Sequence, residues 1–172
     1  MKKLLSFLAS MLIAIAATAQ TASQNFQKGI GAYSAGKYTE AVSFYQKAAN
    51  QGNADAQILL GICYYKGEGV AKNYQKAFEW FQKAADQGYA DAQYKLGACY
   101  YEGEGVAKNY QKAFEWYQKA ANQGNAEAQI LLGACYYEGE GVAKNYQKAY
   151  EWWQKAAEQG NEKAIELLKD LK

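Results

Sequence analysis

The 172-residue chain contains no histidine and no proline, and its formal net charge is +2. The absence of histidine removes the commonest metal ligand and the commonest proton-transfer side chain. Because phosphate contacts need a basic surface, the nearly neutral charge argues against a nucleic-acid binder.

Residues 1–19 have the three-part layout of a secretory signal peptide. A basic Lys2-Lys3 start precedes an almost entirely apolar stretch, and Ala17-Thr18-Ala19 is a small-residue cleavage site before Gln20. A membrane anchor is the alternative, but a spanning helix needs about 20 apolar residues and this stretch is shorter. Removal of the segment leaves 17 basic and 17 acidic residues, so the mature chain is expected to be neutral. The signal peptide predicts a periplasmic or secreted protein, with no membrane insertion after cleavage.

Three nearly identical segments follow one another with a period of 36 residues: 53–88, 89–124 and 125–160. A repeat of this length predicts a stack of supersecondary units that bury their apolar faces against their neighbours. The repeat is therefore expected to determine the whole fold.

The first helix of each unit is predicted from an apolar stripe that ends at two glycines. In the first copy Ala56, Leu60 and Cys63 fall at helical spacing, and Gly67 and Gly69 supply the positive φ of a tight connection. Val70 is expected to pack back between the helices.

The second helix begins after an expected N-cap, Asn73, and carries an amphipathic stripe from Tyr74 to Ala85. Gly88 is its expected C′ residue. The predicted fold is all-α: a right-handed α/α superhelical solenoid of stacked antiparallel helix hairpins.

Glycines also lie inside the predicted first helices, at Gly61, Gly97 and Gly133, where glycine costs about 1 kcal/mol relative to alanine. We expect another helix to approach closely there. Alanines of the second helix, such as Ala77 and Ala84, are the expected facing residues.

One motif occurs three times along the chain. Its first copy reads Leu60-Gly61-x-x-Tyr64-x-x-Gly67-x-Gly69-Val70, followed by Tyr74, Ala77, Trp80 and Lys83-Ala84-Ala85. This motif resembles the Sel-like repeat (SLR) family. Residues 20–52 form a unit whose turn is about four residues shorter, which is more similar to a tetratricopeptide repeat. The SLR units are then 53–88, 89–124 and 125–160, and 161–172 is a capping helix in which Lys169 takes the place of Gly61. The resemblance implies an adaptor that binds proteins or peptides on a concave surface.

The three cysteines, Cys63, Cys99 and Cys135, are expected in the core. Their 36-residue spacing and the absence of histidine argue against a metal site. Cysteine-rich SLR proteins carry a second cysteine per unit that staples the two helices, and alanine stands there in this chain. Equivalent positions about 10 Å apart in stacked helices are too far for a mutual disulfide.

Aromatic and aliphatic side chains on the face opposite the first-helix core stripe are the predicted partner-binding surface. Tyrosine is favoured in interfaces. The alternative is that these side chains stack on one another across units. The predicted surface consists of Ile58, Tyr65, Tyr94, Tyr101, Ile130 and Tyr137.

The predicted function is a non-catalytic, monomeric protein- or peptide-binding scaffold without a cofactor. The loop glutamates Glu68, Glu104 and Glu140 are interpreted as solvent-facing. One enzymatic alternative is β-lactam binding or hydrolysis, as suggested for cysteine-rich SLR relatives, since Ser34-x-x-Lys37 matches one motif of that chemistry. Its companion Ser-Asp-Asn and Lys-Thr-Gly motifs are absent from the sequence.

Overall fold

The structure, a computed structural model, describes the backbone of residues 2–170 and the side chains of residues 11–169 apart from residue 13. Over this range all the regular secondary structure is α-helix, as predicted. The helices are α1 (Lys2–Ser34), α2 (Tyr38–Asn50), α3 (Ala54–Lys66), α4 (Tyr74–Asp86), α5 (Ala90–Glu102), α6 (Tyr110–Asn122), α7 (Ala126–Glu138), α8 (Tyr146–Glu158) and α9 (Glu162–Asp170). The chain divides into two compact units, residues 1–80 and 81–172.

The helices begin and end where the repeat predicts. The Asn73 side chain accepts a hydrogen bond from the Lys76 backbone N–H at 2.9 Å, which caps α4. Gly67 ends α3 in the left-handed region at φ 80°, and Gly88 follows α4 at φ 92°. The connection from α5 to α6 spans seven residues, 103–109, whereas that from α1 to α2 spans only three, 35–37.

Unit 1 is held together by a core between α1, α2 and α3. Tyr45 and Leu60 are almost fully buried there together with several alanines, and Val70 packs against the same cluster, as predicted. Burial of these apolar side chains, at about 25 cal/mol per Å² removed from water, is the main stabilising contribution.

Unit 2 repeats the arrangement around Leu96, Tyr117, Leu132 and Trp153, whose exposed fractions are all 3% or less. Consecutive hairpins are joined by buried glutamines, a contact that the repeat pattern did not predict. The Gln129 side chain donates to the carbonyl oxygen of Ala121 at 3.3 Å, so it satisfies a backbone group at the end of the preceding α6.

The mid-helix glycines of unit 2 do allow a close approach, but the nearest facing residue differs from the prediction. A Cβ on Gly97 would lie 2.6 Å from Cδ1 of Tyr117, and one on Gly133 would collide with the Trp153 indole. The expected alanine does face Gly97, since the carbonyl oxygen of Ala113 would lie 3.3 Å from that Cβ, but the ring of Tyr117 is nearer and fills most of the space that glycine leaves open.

The predicted signal peptide lies within α1, which continues without a break to Ser34. The side chains of residues 1–10 lie outside the described residues, while Met11, Leu12 and Ile15 are 53%, 67% and 55% exposed. Within the described residues, no helix combines the length and the apolarity needed to cross a membrane. At the other end α9 buries Ala164 completely and leaves Lys169 exposed. Residues 171–172 lie outside the described residues, and the role of this helix as a cap stays a prediction.

Candidate partner-binding surface

The six residues of the predicted surface differ in their accessibility. Tyr65 is 37% exposed, and Tyr94, Tyr101 and Tyr137 are partly exposed. Ile58 and Ile130 are only 9% and 6% exposed, so these two side chains contribute little accessible area. The tyrosines therefore carry most of the area that this set offers to a partner, and its binding role stays a prediction.

Each tyrosine near the end of a first helix packs on the tyrosine that begins the second helix of its own unit. The ring centroids of Tyr101 and Tyr110 are 5.1 Å apart in an edge-to-face arrangement, and those of Tyr137 and Tyr146 are also 5.1 Å apart. Edge-to-face pairs of this kind contribute about 0.5–1.5 kcal/mol beyond their buried area. The rings are thus held in fixed positions by contacts within the repeat.

Two tyrosines at this position of the repeat also donate a hydrogen bond to the loop of the following repeat. The Tyr33 hydroxyl donates to Glu68 Oε2 at 2.6 Å, and the Tyr101 hydroxyl donates to Glu140 Oε2 at 2.6 Å. The hydrogen bond to Glu68, burial and the carboxylate charge together raise the pKa of Tyr33 to about 12, and the same causes raise the pKa of Tyr101.

The interpretation of the loop glutamates as solvent-facing is consequently wrong for Glu68 and Glu140. Each is partly buried and accepts a tyrosine hydrogen bond from the preceding hairpin. A signal for this bond was present in the sequence, because the tyrosine and the loop glutamate are identical in all three copies.

Apolar grooves open between consecutive first helices inside each unit. In unit 1 a cavity of about 320 Å³ lies between α1 and α3, with Tyr33, Tyr45 and Leu59 in its lining. In unit 2 a cavity of about 340 Å³ lies between α7 and α9, with the equivalent Tyr137, Trp153 and Leu167 in its lining. The repeat therefore builds the same groove at equivalent positions of two different hairpin junctions.

The cysteines occupy the core positions that the sequence predicts. Cys63, Cys99 and Cys135 are 2%, 2% and 1% exposed, and none forms a disulfide. Burial raises the pKa of the Cys63 thiol to about 11 and those of Cys99 and Cys135 to about 12, which suppresses the reactive thiolate. No group of three or more His, Cys, Asp or Glu side chains in the described part of the chain has a metal-binding arrangement.

Ser34 and Lys37 stand on either side of the turn between α1 and α2. Lys37 is largely exposed, and its Nζ lies 3.8 Å from a carboxylate oxygen of Glu40. Ser34 lines the unit 1 groove, whereas Lys37 lines a separate cavity at the start of α2. A general-base lysine is normally held in a buried site, whereas Lys37 is exposed and lies beside Glu40.

Comparison with solved structures places the fold among helical solenoids. A protective antigen with an SLR fold from uropathogenic Escherichia coli, c5321, is 38% identical, with a TM-score of 0.80 over 89% of this chain and 34% of its own. A Sel1 repeat protein from Oxalobacter formigenes is 42% identical, with a TM-score of 0.78 over 84% of this chain and 57% of its own. Cysteine-rich protein B of Helicobacter pylori is 28% identical, with a TM-score of 0.61 over 77% of this chain and 96% of its own.

The chain thus spans about a third of the length of the first of these structures and somewhat over half of the length of the second. A search of curated proteins gave no match. The Sel1 repeat family model matches residues 15–53, 54–89, 90–125 and 126–161, and so includes the unit that resembles a tetratricopeptide repeat. Four consecutive matches cover most of the sequence, and the chain therefore belongs to the Sel1 repeat family.

Proposed function

We propose that this chain is an exported, non-catalytic scaffold that binds a protein or peptide partner through the face formed by its first helices. Sel1 repeats are typical protein–protein interaction scaffolds and are generally non-catalytic. The observation that carries the proposal is the recurring groove between consecutive first helices, rimmed by partly exposed tyrosines. Concave apolar sites with a few polar groups at the rim are the usual form of a binding site.

The residues of the proposed face lie on α3 in unit 1 and on α5 and α7 in unit 2. Tyr65, Tyr94, Tyr101 and Tyr137 supply its aromatic area, and the almost fully buried Ile58 and Ile130 add little to it. Because these tyrosine rings are held by ring–ring packing, and Tyr101 also by its hydrogen bond to Glu140, they lose little conformational entropy when a partner binds. The neutral charge after export fits a protein partner better than a nucleic acid.

Affinity capture from an envelope extract tests the face directly. The double variant Ala98→Arg/Glu102→Lys places two new positive charges on partly or fully exposed positions of α5. Its control, Glu115→Lys, changes the charge of an exposed α6 position in the same direction. The double variant is expected to lose the partner that wild type and control retain, with unchanged helical circular dichroism. Equal capture by all three proteins would refute the proposed face.

Export and the monomeric state are tested separately. Amino-terminal sequencing of the chain recovered from the periplasm or medium is expected to begin at Gln20. A chain retained with an intact start would refute cleavage. Light scattering across a concentration series is expected to give a constant monomer mass, and a mass that rises with concentration would indicate self-association instead.

A further inference from the structure

The proposed cleavage before Gln20 falls inside a helix. α1 runs from Lys2 to Ser34 without a break, so removal of residues 1–19 cuts the helix itself rather than a loop in front of it. Gln20 then becomes the first residue of the mature chain, and its side chain is exposed in the intact helix. The residues that follow Gln20 decide where the shortened helix begins.

The four residues after the cleaved pair carry a helix start of their own. Residues 21–24 read Thr-Ala-Ser-Gln, which is the capping-box pattern. In the uncleaved helix the Thr21 hydroxyl donates to the carbonyl oxygen of Ala17 at 3.1 Å or to that of Thr18 at 2.8 Å, and cleavage removes both acceptors. The Thr21 hydroxyl oxygen can then accept from the backbone N–H of Gln24, while the Gln24 side chain accepts from the backbone N–H of Thr21.

The packing of α1 also begins directly after this cap. Ala22 is 4% exposed, whereas every described side chain from residue 11 to residue 21 is exposed. The mature helix therefore keeps its buried side chains when it starts at Ala22 behind the capping Thr21. Gln20 is left outside the shortened helix, and within the described residues no hydrogen bond holds its side chain.

A glutamine at the first position of a chain carries both groups of a cyclisation reaction. Its free α-amine attacks the side-chain carbonyl carbon Cδ and closes a five-membered lactam. The bond from the α-nitrogen to Cδ forms, the bond from Cδ to Nε2 breaks, and Nε2 leaves as ammonia with a proton from the amine. Because α-amines have pKa values of about 8, part of the population is in the neutral, nucleophilic form at neutral pH. No oxidant, reductant or further reactant is needed.

We propose that Gln20 is a modification site at which the mature chain closes its first residue to a pyroglutamate lactam. This inference rests on the proposed export and cleavage, and it adds the chemical state of the new start. The lactam removes a positive charge that would otherwise stand beside the partial positive charge of the helix start, where it is unfavourable. The amide bond to Thr21 is unchanged, so the N–H that the Gln24 side chain binds in the capping box remains available.

The lactam gives the exported chain a protected start. Aminopeptidases act on a chain through its free α-amine, and pyroglutamate has none. Removal of Gln20 and Thr21 by such an enzyme would take away the cap that precedes the buried Ala22. The modification therefore preserves the first turn of the mature α1.

The state of Gln20 is read from the full chain after its expression and recovery from the periplasm or medium. Free amines are blocked with heavy acetyl groups at harvest, and a glutamate-specific protease then releases the first peptide, residues 20–40, for tandem mass spectrometry. In the wild type this peptide is expected to start at Gln20, to be lighter by one ammonia and to lack the label on its first residue.

The Gln20→Asn variant is the matched control. Its side chain is one methylene shorter and could close only a strained four-membered ring, so its first residue is expected to carry the label. Purified aminopeptidase, added to both unlabelled proteins, is expected to shorten the Gln20→Asn chain and to leave the wild type unchanged.

The possible failures are distinguishable. A wild-type peptide that starts at Gln20 with a labelled amine would overturn the lactam and leave the proposed cleavage intact. A first peptide that starts at any other residue would contradict the cleavage on which the lactam depends. Equal loss of ammonia from both proteins would locate the modification elsewhere and so overturn Gln20 as the site, and equal shortening by aminopeptidase would overturn the protected start.

Discussion

Replacing Gly133 with alanine tests how closely α8 approaches α7. The new methyl group would collide with Nε1 of the buried Trp153 indole, which donates a hydrogen bond to the carbonyl oxygen of Ile130 at 3.0 Å. The ring must therefore move, and its movement breaks this hydrogen bond.

The magnitude follows from three contributions. Alanine gains about 1 kcal/mol of helix propensity over glycine. Overpacking costs about 1–3 kcal/mol, and a buried N–H left without a partner costs about 1–3 kcal/mol more. The free energy of unfolding is thus expected to fall by about 1–5 kcal/mol, which lowers the melting temperature by about 2–4 °C per kcal/mol in a chain of this size.

Thermal and urea unfolding followed by far-UV circular dichroism measures this effect. Gly31→Ala is the matched control, because Gly31 is also helical and a Cβ there meets nothing within 4 Å, so that variant should be stabilised by about 0.5–1 kcal/mol. If Gly133→Ala is as stable as the wild type, the close packing of indole on α7 is refuted.

Three further predictions concern the hydrogen bonds and the buried thiols. Tyr101→Phe removes the hydrogen bond to Glu140 and is expected to lower the free energy of unfolding by about 1 kcal/mol in urea titrations. The Tyr137 hydroxyl makes no side-chain hydrogen bond among the described residues, so Tyr137→Phe should leave that free energy nearly unchanged. Asn145→Ala removes the cap on the Lys148 N–H at 2.9 Å, with an expected loss of about 1 kcal/mol in the same assay. Burial raises the pKa values of the three thiols above 9.0, so between pH 9 and about 11–12 the unfolded chain loses thiol protons that the folded chain keeps. The free energy of unfolding is therefore expected to fall as the pH rises through this range. When all three cysteines are replaced by alanine, the urea midpoint should drop less over the same range.

Much of the fold follows from local chemistry that the sequence displays. Asn73 caps a helix and Gly67 ends one because these residue types satisfy helix ends within a few positions along the chain. The period of 36 residues then fixes how often this pattern recurs. The start of α4 after Asn73 and the end of α3 at Gly67 were therefore predictable, whereas the extent of α1 was not.

Contacts between helices were predicted less well, because they depend on which neighbour meets each face. Gly97 signalled a close approach, but its spacing does not reveal that the approaching group is the Tyr117 ring. The hydrogen bond from Tyr101 to Glu140 joins residues 39 apart, and only stacking in three dimensions brings them together. Ile130, expected to face outward, is covered by neighbouring side chains for the same reason.

The binding face is tested most directly by photo-cross-linking in living cells. A benzophenone amino acid placed at Ala98, on the first-helix face of α5, is compared with the same probe at Glu115, on the exposed side of α6. The account predicts a cross-link from position 98 to a single partner and none from position 115. Cross-links from position 115 alone, or equally from both positions, would contradict it.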